Sequence, residues 1–184
     1  MIRLGIIGTA GRKPNELNSL TKNHMEWMKD NVRCYIEDIL KTTTEQIILV
    51  SGGSAWVDHV AVQLFLEEDF GGLELYLPIE FDKQNIKFIY SHEGNILNFL
   101  HNQCQIKTGF PIFQELLTAM SDEQCKVIVK KSFLARNTLV ANNNNNIIAF
   151  TFSNSNTPGD GGTYDTWKKT IHDNKIHISL AWFS

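Results

Sequence analysis

The sequence lacks several features that mark whole classes of protein. No apolar run approaches the roughly 20 residues that a membrane helix requires, and the apolar start, residues 2–8, is too short for a secretory signal. The three cysteines, Cys34, Cys104 and Cys125, include no closely spaced pair of the kind found in zinc knuckles or redox motifs. The six histidines form no HExxH motif. These absences predict a cytoplasmic protein with reduced thiols, no membrane association, no metal and no cofactor.

The chain also lacks an excess of basic residues. Its 17 lysines and arginines are outnumbered by 20 aspartates and glutamates, which gives a net charge of -3. Because binding to a phosphate backbone normally needs clustered positive charge, this balance argues against nucleic acid as a partner. A length of 184 residues is close to that of one ordinary domain, so we predict a single domain over residues 1–184.

Short apolar runs alternate with helical patterns along most of the chain. Predicted strands cover residues 2–8, 46–50, 73–77, 147–152 and 175–181, and predicted helices cover residues 21–41, 57–65, 111–119, 132–141 and 164–173. Such alternation of strands and helices is typical of parallel strands joined by right-handed crossovers. Apolar runs in which polar residues do not alternate indicate a sheet covered on both faces. The predicted fold is α/β, a Rossmann-like three-layer sandwich with a mainly parallel five-stranded sheet.

Two segments interrupt this rhythm. Residues 80–125 are rich in aromatic and polar side chains and are predicted to form a helical insertion after the third strand, or a lid over the ligand edge. The five consecutive asparagines, Asn142 to Asn146, are of low complexity and are predicted to be an expanded loop.

Glycine-rich loops follow three of the predicted strands. They read Gly8-Thr9-Ala10-Gly11-Arg12, Ser51-Gly52-Gly53-Ser54 and Pro158-Gly159-Asp160-Gly161-Gly162-Thr163. Glycine lets backbone N–H groups approach an anion, and a following helix start adds the positive end of its dipole. Because the carboxyl ends of parallel strands meet at one edge, the three loops predict a site for an anion or a nucleotide. The first loop matches neither the GxGxxG dinucleotide motif nor the P-loop.

The second loop and two later segments resemble a known superfamily. The segment from Ser51 to Ala61 is similar to the SGGxxGxD signature of the SLOG superfamily, which joins the Smf/DprA DNA-processing proteins, the LOG phosphoribohydrolases and the YpsA/YspA-like proteins. Arg136-Asn137 resembles its arginine-bearing helix, and the third loop with Asp165 resembles the PGGxGTxxE region of LOG enzymes. The order and approximate spacing agree outside residues 80–125, and the YspA-like branch is the most similar. Trp56 stands where the signature usually has glycine.

The resemblance implies a nucleotide or ADP-ribose-like ligand. It implies Arg136 and Asp165 as candidates for catalysis, since an arginine and a glutamate serve LOG enzymes in cleaving the bond between base and ribose 5′-phosphate. It also implies a homodimer or a higher homo-oligomer. Predicted ligand-binding residues are Gly8, Thr9, Ala10, Gly11, Arg12, Ser51, Gly52, Gly53, Ser54, Asp58, Asn137, Asp160, Gly161, Gly162 and Thr163. Three functions stay open at this point: nucleotide binding with N-glycosidic hydrolysis, a non-catalytic nucleotide sensor or sink, and nucleic-acid binding of the DprA type.

Overall fold

A six-stranded parallel sheet forms the centre of the protein. The computed structural model describes residues 1–183. The strands are β1 (Ile2–Gly8), β2 (Ile47–Ser51), β3 (Gly72–Leu77), β6 (Cys125–Val129), β7 (Asn146–Thr151) and β8 (Lys175–Ser179), in the order β6-β3-β2-β1-β7-β8, and all neighbouring pairs are parallel. A small antiparallel pair, β4 (Phe81–Asp82) with β5 (Lys87–Phe88), lies apart from this sheet. The α/β prediction is confirmed, with one strand more than the five expected.

Seven α-helices accompany the strands. They are α1 (Pro14–Ser19), α2 (Lys22–Cys34), α3 (Val57–Glu67), α4 (His92–Thr108), α5 (Ile112–Met120), α6 (Phe133–Asn142) and α7 (Gly161–Lys169). A π-helical turn, Tyr35–Leu40, prolongs α2, and short 3₁₀ turns cover Thr44–Gln46 and Leu180–Trp182. None of these helices, within residues 1–183, combines the length and apolarity needed to cross a bilayer.

The two faces of the sheet are covered by different helices. Alternate strand residues such as Leu4, Ile6 and Leu49 pack with α2, α3, α4 and α5 in the larger apolar core. The opposite face presents Ile7, Val50 and others to α6 and α7 in a smaller core. Since successive side chains of a strand point to opposite faces, apolar runs without alternation are what a sheet covered on both sides requires.

The segment predicted to be an insertion or lid is the crossover between two adjacent strands. It leaves the end of β3, forms α4 and α5, and returns as β6, which pairs with β3. Its helices bury apolar side chains, among them Leu97, Leu100 and Leu116, in the larger core. This connection therefore covers one face of the sheet, and the residues that line the cleft described below include none of it.

The asparagine run is not an expanded loop. Asn142 ends α6 and Asn146 begins β7. Asn144 is buried, and its amide donates to the carbonyl of Val140 at 2.5 Å. The side chain of Asn145 accepts a hydrogen bond of 2.9 Å from the N–H of Arg3. The run is thus a tight helix-to-strand connection whose side chains hold neighbouring elements.

Candidate functional site

A large cleft lies where the strand order reverses. The chain runs outward from β1 through β2, β3 and β6 on one side, and through β7 and β8 on the other. In open parallel sheets, ligands bind outside the carboxyl ends of the strands at such a switch point. The cleft has a volume of about 850 Å³. Its lining includes Gly8 at the end of β1 and Thr151 at the end of β7. This volume falls in the range typical of small-molecule sites.

Most of the predicted site residues line this cleft. They are Gly8, Thr9, Ala10, Arg12, Gly52, Ser54, Asp58, Arg136, Asn137, Asp160, Gly161, Gly162 and Thr163. Four predicted residues lie outside the lining, namely Gly11, Ser51, Gly53 and Asp165. The three loops therefore do meet at one edge of the sheet, as their positions after the strands led us to expect.

Sequence reasoning missed several residues of the lining. Lys13, Asn15 and Glu16 enter the cleft from α1 and the residue before it, and Phe133 and Leu134 enter from the start of α6. Helix α1 has only six residues, and a polar segment of that length gives little periodic signal. Its proline at the first turn was the one available indication.

The first loop uses its own polar groups internally. The hydroxyl of Thr9 donates to Glu16 Oε2 at 2.6 Å and accepts from the N–H of Gly11 at 3.1 Å. The N–H of Thr9 donates to the carbonyl of Phe150 on β7 at 3.0 Å. A methyl group on Gly8 would overlap the same carbonyl and lie 2.6 Å from a Val57 methyl carbon, so only glycine fits there.

The second loop is likewise held by hydrogen bonds among its own residues and Asp58. Ser51 Oγ donates to the carbonyl of Asp58 at 2.8 Å and accepts from the N–H of Gly53 at 3.1 Å. The N–H of Ser54 donates to Asp58 Oδ2 at 3.1 Å. Ser51 and Gly53 thus shape the loop from beneath, which explains why neither lines the cleft.

Trp56 is part of the core and does not face the cleft. Its side chain is fully buried, and its backbone has a φ of 61°, a left-handed value that favours glycine. Trp56 thus takes a backbone conformation that glycine would adopt without strain. The indole, packed beneath the first loop against Gly11, holds the residue in this strained conformation.

A buried ion pair forms the floor of the cleft. Arg136 Nη1 donates to the carbonyl of Gly52 and lies 3.5 Å from Asp58 Oδ2. Burial raises the pKa of Asp58, although the charge of Arg136 and the N–H of Ser54 oppose it. Burial also lowers the pKa of Arg136, against the attraction of Asp58, but a guanidinium stays protonated in proteins. Within residues 1–183, Arg136 Nε and Ser54 Oγ are buried without a hydrogen-bond partner.

The third loop leaves its N–H groups free. Helix α7 begins at Gly161, and the preceding residue, Asp160, makes no side-chain cap. No acceptor elsewhere in the described chain takes the N–H groups of Gly161, Gly162 or Thr163. The first N–H groups of a helix have no partner inside it, and they lie at the positive end of the helix dipole. This loop therefore presents a helix start whose first N–H groups are available to an anion.

Asp165 is not part of the cleft lining. Its carboxylate accepts from Lys169 Nζ at 2.9 Å and from Asn137 Nδ2 at 3.3 Å. Burial acts to raise the pKa of Asp165, but the hydrogen bonds from Lys169 and Asn137 outweigh it, and the pKa lies below its ordinary value. This ionised carboxylate connects α6 with α7, and only Arg136 of the two candidate catalytic residues lines the cleft.

Charges around the cleft pair off except for two. Arg136 pairs with Asp58, and Lys13 pairs with Asp160 at 3.0 Å across the rim. Arg12 makes no ion pair among the described residues, and its guanidinium stacks on the Phe133 ring at 4.4 Å from the centroid. Glu16 contacts only the hydroxyl of Thr9 through its side chain. The cleft therefore presents one unpaired cation and one unpaired anion.

Comparison with known proteins gives one long match. No model of a protein family matches the sequence. The "Uncharacterized protein R261" of Acanthamoeba polyphaga mimivirus is 47% identical to it over 180 residues, which cover 98% of this chain and 97% of the viral protein. Identity at this level over nearly the full length of both proteins is sufficient to establish a common family. The chain therefore belongs to the same family as the mimivirus protein R261.

Proposed function

We propose that this protein binds a nucleotide or nucleotide-derived ligand, a nucleoside monophosphate or an ADP-ribose-like molecule, in the cleft between β1 and β7. The observation that carries the proposal is the start of α7, where the N–H groups of Gly161, Gly162 and Thr163 line the cleft without a protein partner. Such a helix start is suited to a phosphate group. The resemblance to the SLOG superfamily points to the same class of ligand.

Arg12 supplies the charge that the phosphate needs. Its guanidinium lines the cleft, is held against the Phe133 ring, and forms no salt bridge within residues 1–183, although the charge of Asp58 attracts it. A fixed, unpaired guanidinium forms charge-assisted hydrogen bonds with phosphate oxygens. Arg136 lies deeper and is already engaged with Asp58 and Gly52, so we assign it mainly to shaping the floor.

Binding without turnover is the form of the proposal that the geometry supports. Hydrolysis of an N-glycosidic bond would need a carboxylate beside the sugar carbon that develops positive charge. Asp165, the carboxylate implied by the LOG resemblance, is bonded to Lys169 and Asn137 outside the lining. The non-catalytic sensor or sink is therefore favoured over a hydrolase of the LOG type.

Calorimetry with AMP, ADP-ribose and NAD, against adenosine as a ligand without phosphate, tests the proposal. We expect binding of at least one phosphorylated ligand and markedly weaker binding of adenosine. Arg12→Ala should weaken the affinity about tenfold, the loss of one charged hydrogen bond, whereas Lys131→Ala, a change of an exposed cation outside the cleft, should not alter it.

Two further readouts separate the functional classes. Chromatography of the incubated ligands should show no released base. Base release that is abolished by Asp165→Asn would instead establish the hydrolase. If no nucleotide binds while a DNA fragment does, in a salt-dependent manner, the nucleotide site is wrong and the nucleic-acid function replaces it.

A further inference from the structure

Three carboxylates line the cleft, and only one of them keeps an unpaired charge. Asp58 lies against Arg136, and Asp160 lies against Lys13. Glu16 forms no salt bridge in the described part of the chain, although its charge attracts Lys13. A carboxylate would repel a phosphate, so its place in a phosphate-binding cleft requires a different part of the ligand opposite it.

Glu16 is held in one orientation by its own loop. Thr9 Oγ1 lies 2.6 Å from Glu16 Oε2 and accepts the N–H of Gly11, so its hydroxyl proton is directed to the carboxylate. The second carboxylate oxygen, Oε1, receives no hydrogen bond from residues 1–183. This half-buried carboxylate has one oxygen fixed by Thr9 and one oxygen without a partner, and the second oxygen can accept a hydrogen bond from an uncharged donor of a ligand.

The position of Glu16 suits the sugar next to a phosphate. Lys13 precedes α1 and bonds to Asp160, which precedes α7, so a lysine side chain spans the distance between the two helix starts. Glu16 follows Lys13 by three residues, about one helical turn or roughly 5 Å of axial rise. A ribose hydroxyl is separated from the 5′-phosphate of the same nucleotide by a comparable distance.

We propose that Glu16 accepts a hydrogen bond from a ribose hydroxyl of the bound ligand, and that it thereby selects ribonucleotides over their deoxy forms. The inference rests on the proposed function and names the part of the ligand that faces α1. A buried polar group left without its partner rejects the analogue that lacks the matching hydroxyl, which is the physical origin of such selectivity.

Calorimetry with AMP, 2′-deoxy-AMP and 3′-deoxy-AMP tests the inference on the wild-type protein and two variants. Glu16→Gln keeps an acceptor for Thr9 but removes the charge. Glu45→Gln is the matched control, because Glu45 accepts from the hydroxyl of Thr43 at 2.9 Å in an equivalent pair away from the cleft. We expect the wild type to bind AMP at least about tenfold more tightly than one of the deoxy forms.

In Glu16→Gln this ratio should fall to below about threefold, while the affinity for that deoxy form changes little. Glu45→Gln should keep the wild-type ratio. Equal binding of AMP and both deoxy forms by the wild type would overturn the role of Glu16 and leave the nucleotide site standing. A ratio that persists in Glu16→Gln, or that falls equally in Glu45→Gln, would also overturn it. Failure of all three ligands to bind would overturn the proposed function and this inference together.

Discussion

Mild acid is expected to destabilise the protein through His101. This side chain is fully buried in α4, and its Nδ1 donates to the carbonyl of Leu97 at 2.7 Å, whereas Nε2 has no partner among the described residues. Burial, together with the neighbouring His59, lowers the pKa of His101 from 6.5 to about 3. The folded protein therefore holds a neutral imidazole at any pH well above 3.

The magnitude follows from the difference between the folded and unfolded pKa. Above pH 6.5 neither state binds the proton, so the group has no effect on the free energy of unfolding. As the pH falls below 6.5, the unfolded chain binds a proton at this histidine and the folded chain does not, so the free energy of unfolding decreases progressively toward pH 3. Between pH 7.5 and pH 5 the loss from this one group is about 2 kcal/mol.

Urea denaturation at pH 7.5 and pH 5 measures this loss. His24, His172 and His177 also have a lowered pKa, mainly through burial, so the whole protein should lose more than His101 alone accounts for. His101→Asn keeps a donor for Leu97 and removes the titrating ring. It should be less stable than the wild type at pH 7.5, yet its loss between the two pH values should be about 2 kcal/mol smaller.

The control is His92→Asn, which changes an exposed histidine at the start of the same helix and should retain the wild-type pH dependence. The reasoning would be refuted if His101→Asn and the wild type lost the same free energy of unfolding between pH 7.5 and pH 5.

Two further substitutions test the loops by the same denaturation assay at neutral pH. Gly8→Ala places a methyl group onto the carbonyl of Phe150 and should lower the free energy of unfolding by about 3 kcal/mol or more. Gly162→Ala, whose methyl group would lie 3.5 Å from the nearest atom, should be neutral or stabilising. Equal effects of the two substitutions would contradict the close fit at Gly8. Asp58→Ala leaves a buried guanidinium without its ion-pair partner and should lower the free energy of unfolding by about 3–5 kcal/mol. Asp160→Ala, in the solvent-exposed pair at the rim, should have little effect, and similar losses for the two variants would show that the floor pair is not structural.

The pattern of apolar runs predicted the central strands because their side chains are buried on both faces. It missed β6, an edge strand in which Val127 and Val129 remain partly exposed and Lys126 interrupts the apolar run. It also missed α4, whose buried face carries polar residues such as His101 and Thr108 in place of a continuous apolar stripe. Periodicity reports burial of apolar side chains, and it fails where the buried side chains are polar.

The candidate site was predictable as an edge of the sheet but not in its detailed pairing. Glycine spacing located all three loops, because glycine after a buried strand marks a close backbone approach. It could not show that the N–H groups of Gly11, Gly53 and Ser54 are taken by the side chains of Thr9, Ser51 and Asp58. Nor could it show that Asp165 turns toward Lys169, since the direction of a side chain on a helix depends on the element packed beside it.

The pairing of β1 with β7 has a consequence for the order in which the protein forms during synthesis. Arg3 and Asn145, which are hydrogen-bonded beside this pair, are 142 positions apart in the sequence. At roughly 5–20 residues per second, the first strand waits on the order of 10 s or more for its second partner to be translated. Pairings this distant are slow to close. The cleft, which lies between these two strands, therefore cannot be assembled until after β7 has left the ribosome.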